Sequence, residues 1–375
     1  MKILLLGASG LLGHNVLKQL LAAGYEVHAL LRDSSSIHLP EEECAGLTTG
    51  PFPKQTPQSL RDSWLHKVAD LSSPNLGEQP RMQAASDNAS HSSPDRESHS
   101  SPKLGEVPAG GRSVYDAIVN CIGCTDMSLR HYDDYLPANR DICARLVGLM
   151  EQQGITRLVH VSTANTIGYG TSGHPADEQA PMQEPFTESW YARSKREGEK
   201  LLDEAAARHP DWHIVTVHPG FMVGAYDVKP SSGALLLAAY RRPLMAAPCG
   251  GKSFLHVADA AAAIVGALTR GRHGGHYLLT GENLSLKEFY ELQAEVCGYR
   301  QRCLTLPSWL VRAAGRAGDL LRLLGLRTQL STRNVRQLLV REYYDNTLAR
   351  RDLGLPATPL SQAIADFFLW RAQSR

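Results

Sequence analysis

Apolar residues along this chain recur in two rhythms. Residues 2–6 read as a fully buried strand, apolar from Ile3 to Leu6, residues 11–23 repeat at helical spacing and stop at Gly24, and residues 26–31 form a second, mostly apolar strand. Short continuous runs suit strands buried on both faces, and the repeat between them suits an amphipathic helix. A βαβ opening of this kind predicts a parallel sheet with helices on both faces. The alternation resumes with strands expected at 115–120, 156–161 and 213–218 and helices at 141–153, 191–208 and 258–269. The expected fold class is α/β, a Rossmann-type doubly wound parallel sheet with a smaller C-terminal substrate-binding lobe. Residues 1–171, 190–221 and 254–275 are assigned to the sheet domain, and 172–189, 222–253 and 276–375 to the lobe and C-terminal helices.

Two stretches depart from this rhythm. Residues 72–112 are rich in Ser, Pro, Gly and charge and carry a near-repeat, Ser90-His-Ser-Ser-Pro94 and Ser98-His-Ser-Ser-Pro102. Such a composition buries too little apolar surface to offset its ordering entropy, so a disordered surface insertion is expected, with a phosphorylated Ser-Pro arm as the alternative. Residues 307–326 are amphipathic, with Trp309, Leu310, Ala313, Leu320, Leu321 and Leu324 interleaved with Arg312, Arg316 and Arg322. A helix capping the substrate pocket is the expected reading, and a helix lying on a membrane surface is the other.

Composition narrows the class. A chain of 375 residues with 43% hydrophobic residues and a formal charge of +1 is that of an ordinary soluble enzyme, with no basic excess to attract nucleic acid. Seven scattered cysteines make no disulfide framework and suit a reducing, cytoplasmic setting. Cys121-Ile-Gly-Cys124 has redox spacing, but its place at the end of a buried strand favours structural thiols. No apolar run approaches the ~18 residues of an integral membrane span. Asn88-Ala-Ser90 matches a glycosylation acceptor that a cytoplasmic chain would not use. No metal site is expected.

The first chemical signal is Gly7-x-x-Gly10-x-x-Gly13 between the first strand and the first helix. Glycines here let the backbone turn tightly and approach a pyrophosphate, while the N–H groups of Ser9, Gly10, Leu11, Leu12 and Gly13 open the helix toward an anion. The second strand ends at Leu31 and is followed by Arg32, where an NAD-selective site would carry a carboxylate. Arg32 cannot accept from a ribose hydroxyl but forms charge-assisted bonds to a 2′-phosphate, so NADP is expected, with NAD left open by the neighbouring Asp33.

The second signal is Tyr191 and Lys195, one helical turn apart, downstream of Ser162-Thr163 at a strand end. A phenol near ~10 is a poor acid or base at neutral pH, but a neighbouring ammonium favours its ionised form. Tyr191 is the expected acid/base, Lys195 its activator, and Thr163 the clamp on a substrate oxygen. His174, His218 and His256 could touch substrate, although lone histidines near strands and loops are more often structural.

On these residues the chain resembles the extended short-chain dehydrogenase/reductase family, over essentially its whole length outside the insertion. The matching positions are Gly7, Gly10 and Gly13; Asp70-Leu71, similar to the acid that meets the adenine; Asn120-x-x-Gly123; Asn139; Ser162-Thr163; and Tyr191-Ala-Arg-Ser-Lys195. Pro219-Gly220, which in the family lies beside the nicotinamide, Phe254-Leu-His-Val-Ala-Asp259 and Tyr344-Asp-Asn…Leu353-Gly354 also match. The resemblance puts Thr163 rather than Ser162 in the catalytic hydroxyl position. It implies cofactor contacts at Asn120, Gly123, Tyr191, Lys195, Pro219 and Gly220, and it is compatible with a homodimer formed through two helices, one bearing Tyr191. Leu6 stands where many members have Thr, and Thr163-Ala164-Asn165 lacks the Asp-Glu pair of the sugar 4,6-dehydratases. Arg32, Gly220-Phe-Met-Val-Gly224 and Pro230-Ser-Ser-Gly233 look more like the dihydroflavonol-reductase branch. The expected activity is NADP-dependent reduction of a carbonyl on a small substrate, with a nucleotide-sugar epimerase or a non-catalytic dinucleotide binder as alternatives.

Overall fold

A computed structural model describes residues 1–31, 37, 39, 41–51, 113–228, 231–326 and 328–374. By contacts the chain divides into Met1–Lys54 with Tyr115–Arg375, and Gln55–Val114; the elements below belong to the first unit. Arg32, Asp33, Asp70, Leu71, Pro230 and the 72–112 insertion lie outside the described residues.

The described chain builds a seven-stranded parallel sheet. Its strands are β1 (Lys2–Leu6), β2 (Glu26–Leu31), β3 (Leu47–Pro51), β4 (Ala117–Asn120), β5 (Arg157–Val161), β6 (His213–Pro219) and β10 (Gly275–Leu279), in the order β3-β2-β1-β4-β5-β6-β10. Register is fixed at the centre, where Ile3 of β1 faces Val27 of β2 on one side and Ala117 of β4 on the other. Ile3, Leu4, Leu5 and Leu6 are all fully buried, which is why β1 reads as continuous rather than alternating. The order runs outward in opposite directions from β1 and β4, so the loops at their carboxyl ends diverge and leave a crevice.

Helix α1 (Leu11–Ala22) follows β1, α2 (Ile142–Gln153) precedes β5, and α3 (Trp190–Arg208) precedes β6. Helix α5 (Val257–Arg270) presents Ala260, Ala261, Ala263 and Ala267, whose small side chains allow α1 to pack closely. The Gln19 side chain ties the two helices by donating to the Ala258 carbonyl at 2.6 Å. Ser189 caps α3 by accepting from Ala192 N.

A second apolar core lies under β7 (Phe221–Val223), β8 (Leu244–Pro248) and β9 (Gly251–His256). It joins Phe254, Phe289, Leu236 of α4 (Gly233–Ala239), Leu286 of α6 (Leu286–Val296), and Ile364 and Phe367 of α10 (Leu360–Gln373). β9 is the hub of a four-stranded sheet with β7, β11 (Glu282–Ser285) and β13 (Arg341–Glu342), while β12 (Arg302–Leu306) pairs with β8. Two expected boundaries move. The lobe is expected from residue 276, yet β10 pairs with β6 in the large sheet, whereas residues 254–256 pair within the smaller one. Helix α9 (Thr347–Leu353) likewise sends Ala349 and Leu353 into the core of the large sheet. Short apolar strands look alike in sequence, and only their hydrogen-bond partners assign them to a sheet.

Candidate active site

The glycine loop after β1 turns at Gly7, whose φ of +82° lies in the left-handed region that favours glycine. Gly10 N donates to Gly7 O at 3.1 Å and closes the turn. Gly13 sits directly on this turn: a Cβ there would meet the Gly7 carbonyl oxygen at 2.0 Å. Gly10 is exposed, its cap position carries no side-chain hydrogen bond, and α1 has no acid in its first turn. The first N–H groups of α1, at Leu11, Leu12 and Gly13, therefore meet neither a capping side chain nor a repelling carboxylate, which fits a dinucleotide pyrophosphate. Ser9 lies half-buried within the same loop.

The neighbouring loop after β4 is held from two sides. Asn120 is fully buried; its amide donates to His160 Nδ1 at 3.0 Å and its oxygen accepts from Ile122 N at 3.1 Å. Burial holds His160 well below its ordinary pKa, so its neutral ring can accept. Asn139, also fully buried in a wide turn before α2, accepts from Cys124 N at 2.8 Å and donates to Cys124 O at 3.1 Å and Ser194 Oγ at 2.9 Å. One asparagine thus fastens the cofactor-side loop to α3. The Cys121–Cys124 spacing is not a disulfide, and burial pushes the Cys121 thiol up to about 12, which removes its nucleophilic form.

Helix α3 brings the remaining groups to this loop. Lys195 is buried and donates to the carbonyls of Ile122 at 3.0 Å and Val161 at 2.9 Å, bridging the ends of β4 and β5. Gly123 faces it closely, since a Cβ there would stand 3.1 Å from Lys195 Nζ. The Thr163 side chain stands close enough to the Tyr191 hydroxyl to pull its pKa down. Gly7, Asn120, Gly123, Lys195, Val161, Thr163 and Tyr191 are therefore gathered at the carboxyl ends of β1, β4 and β5. Pro219 and Gly220 lie at the carboxyl end of β6, with Gly220 N donating to Leu279 O at 2.9 Å and its Cα pressed against Ser253.

One electrostatic expectation is reversed. Burial pushes the Tyr191 phenol up to about 12 although Thr163 pulls it down, and burial also lowers Lys195. Desolvation disfavours both charged forms, and the ammonium is aimed at two carbonyls rather than at the phenol. Without a cationic ring alongside, Tyr191 is a firmly protonated donor.

Behind Thr163 stands a polar column that sequence reasoning did not assemble. His218 Nδ1 lies 3.2 Å from Thr163 O and 3.1 Å from Thr166 Oγ1, its Nε2 lies 2.9 Å from His276 Nδ1, and His276 Nε2 lies 2.9 Å from Asp203. Buried Glu199 accepts from Ser162 Oγ and pairs with Arg196 at 2.7 Å. Burial pushes Glu199 upward, but His218, Ser162, Thr166 and Arg196 more than offset it, so the carboxylate stays ionised. Burial brings His218 down to about 4. The column ends at a cavity of about 430 Å³ lined in part by Thr166, Glu178, Arg196 and His276. Glu199 follows Lys195 by four positions on one helix face, a spacing visible in sequence; the meeting of His218 and His276 on adjacent strands is not. His256 caps α5 by accepting from Ala258 N at 3.0 Å and pairs with Asp366 at 3.0 Å, and His174 is exposed.

A glycine-cradled helix N-terminus facing a Thr–Tyr–Lys set across a topological switch point defines a nicotinamide-dinucleotide enzyme of the short-chain type. The chain belongs to the NAD dependent epimerase/dehydratase family, whose model matches residues 3–62 and 111–280. Membership makes it an NAD(P)-dependent enzyme, and the break in the match leaves residues 63–110 outside the family pattern. A Synechocystis sp. protein provisionally named dihydroflavonol 4-reductase is 28% identical over 97% of this chain and 92% of its own length. A Stigmatella aurantiaca 4-hydroxy-2-methyl-3-oxo-4-farnesyl-3,4-dihydroquinoline-1-oxide ketoreductase is 31% identical over 44% of this chain and 49% of its own. The UDP-glucose-4-epimerase from Stenotrophomonas maltophila, solved with NAD, shares the fold at a TM-score of 0.68, with 21% identity over 100% of this chain and 99% of that one.

Proposed function

We propose that this enzyme reduces a ketone or aldehyde on a small, partly apolar substrate at the expense of NADPH. The observation that carries the reading is the Tyr191 phenol, pushed up to about 12 by burial, near Thr163 and one helical turn from buried Lys195. Reduction needs a proton donor at the substrate oxygen, and a phenol held near 12 is in its donor form at neutral pH. The bound nicotinamide supplies the hydride. Thr163 and Tyr191 hold the carbonyl oxygen between two hydroxyls, and Tyr191 delivers its proton as charge develops there. Lys195 gives two of its three N–H donors to Ile122 and Val161, which leaves one for a bound molecule. The carbonyls that hold Lys195 also fix its distance from Gly123, so the ammonium serves as a positioned charge rather than as a mobile base. Arg32 follows β2 where the ribose 2′ substituent is read and is assigned to a 2′-phosphate. The reductase names of the relatives support the direction, and the farnesylated compound in one of them supports an apolar substrate.

The test is loss of NADPH absorbance across a panel of aromatic and isoprenoid carbonyls. Tyr191→Phe should lower kcat by about 10²–10⁴-fold while leaving NADPH affinity nearly unchanged. Undiminished turnover by this variant would reject the mechanism. Interconversion of a nucleotide sugar with no net cofactor oxidation would replace reduction by epimerisation.

A further inference from the structure

Helix α7 (Ser308–Leu323) is held to the fold by a narrow stripe. Only Val311, Gly315 and Gly318 are buried, and the glycines press on α8 (Thr332–Arg336) and the segment before it, where added Cβ atoms would meet Val335 at 2.5 Å and the Leu330 carbonyl at 2.4 Å. At ~100° per residue these positions occupy a sector of about 60°. The opposite sector is apolar and uncovered: Trp309 is 69% exposed, Leu320 59% and Leu324 70%. Ala313 lies between them, and Ala317, Leu310 and Leu321 extend the apolar sector on one side. Among the described residues nothing packs over that apolar face.

We propose that the outer face of α7 docks on an anionic lipid surface. The exposed Arg312 and Arg316 lie along one flank of the apolar stripe, with Leu323, 84% exposed, about two turns further along the same flank. The helix has one acid, Asp319, and its carboxylate is engaged by Thr332 N at 3.2 Å. The face thus offers leucines, an indole and positive charge that no acid among the described residues answers, which match acyl chains, the headgroup boundary and anionic headgroups in turn. A second copy of the chain applied to the same face would oppose arginine to arginine with no acid on the stripe to meet them. Past Gly325 the stripe continues to Leu326, which is 55% exposed. This end of α7 is also the end fixed to the crevice. Arg322 donates to Met127 O at 2.8 Å, Asn334 donates to the same carbonyl at 3.0 Å, and Arg130 donates to Leu326 O at 3.2 Å. The 126–130 segment follows directly on the Cys124 loop, so a docked α7 sets the mouth of the crevice beside the lipid. Docking stands independently of the proposed reaction, since it needs no turnover.

The full chain is mixed with vesicles of phosphatidylcholine alone or with about one-third phosphatidylglycerol, at low and high salt, and sedimented. Partition should be about tenfold or more greater on the anionic vesicles and should fall with salt. Leu320→Glu/Leu324→Glu should abolish it, and Arg312→Glu/Arg316→Glu should remove the anionic preference, with circular dichroism and melting unchanged. Absence of partition, or partition equal in both variants, overturns the proposal. A concentration-dependent dimer that disappears in Leu320→Glu/Leu324→Glu, without vesicle binding, assigns the face to a second copy instead.

Discussion

Gly13→Ala tests the cofactor cradle most directly. The added methyl would stand 2.0 Å from the Gly7 carbonyl oxygen and 2.7 Å from its carbon, both backbone atoms that cannot rotate away. Relief requires the turn and the helix to separate by about 1 Å or more. That shift withdraws the N–H groups at the start of α1 from the pyrophosphate. Weakening two charge-assisted hydrogen bonds at about 1.5–2 kcal/mol each corresponds to roughly two to three decades in Kd. The overpacked turn should also destabilise the fold by about 1–3 kcal/mol. NADPH titration by fluorescence and thermal melting read the two effects separately. Gly148→Ala is the control: Gly148 lies in α2 with nothing within 4 Å of its Cβ position, so the same methyl should stabilise slightly and leave cofactor affinity alone. If Gly13→Ala binds NADPH within about threefold of wild type, the close packing of loop on helix does not create the site, and the reasoning fails.

Two further outcomes follow from the polar groups. His218 is held near 4 in the folded protein against ~6.5 unfolded, so below ~6.5 the unfolded chain takes up a proton that the native state refuses. The corresponding stability, about 3 kcal/mol, is complete above ~6.5 and is lost as pH falls to about 4. His218→Asn should lower stability at pH 7.5 but flatten urea-unfolding midpoints between those limits; an unchanged slope would show that the column does not govern acid sensitivity. Arg32→Ala should raise KM for NADPH far more than for NADH, and equal effects on both would discard Arg32 as the reader of a 2′-phosphate.

The parallel sheet was legible because β1 is buried on both faces from Ile3 to Leu6 and the other central strands are mostly apolar, whatever packs on them. The glycine spacing and the Tyr191–Lys195 turn were legible for a related reason: each depends on a local geometry that sequence distance sets. Other features were hidden. The fastening of Cys124 by Asn139 and the meeting of His218 with His276 join residues 15 and 58 positions apart through strand neighbours. The acidity of Tyr191 was misjudged because i,i+4 proximity suggests a pair, whereas the long lysine side chain reaches past the phenol to two carbonyls. Arg32, Asp70 and Leu71 lie outside the described residues, and their roles rest on sequence alone.

By itself, then, the order of residues determined a doubly wound sheet, a tight glycine turn opening a helix, and a helix carrying a phenol one turn from an amine. These follow from periodicity and from the conformations glycine alone adopts. Tertiary structure decided which strands belong to which sheet, which face of α7 is left bare, and that burial keeps Tyr191 protonated. Those properties depend on what surrounds a residue in space, and desolvation, register and exposure have no local signature in the chain.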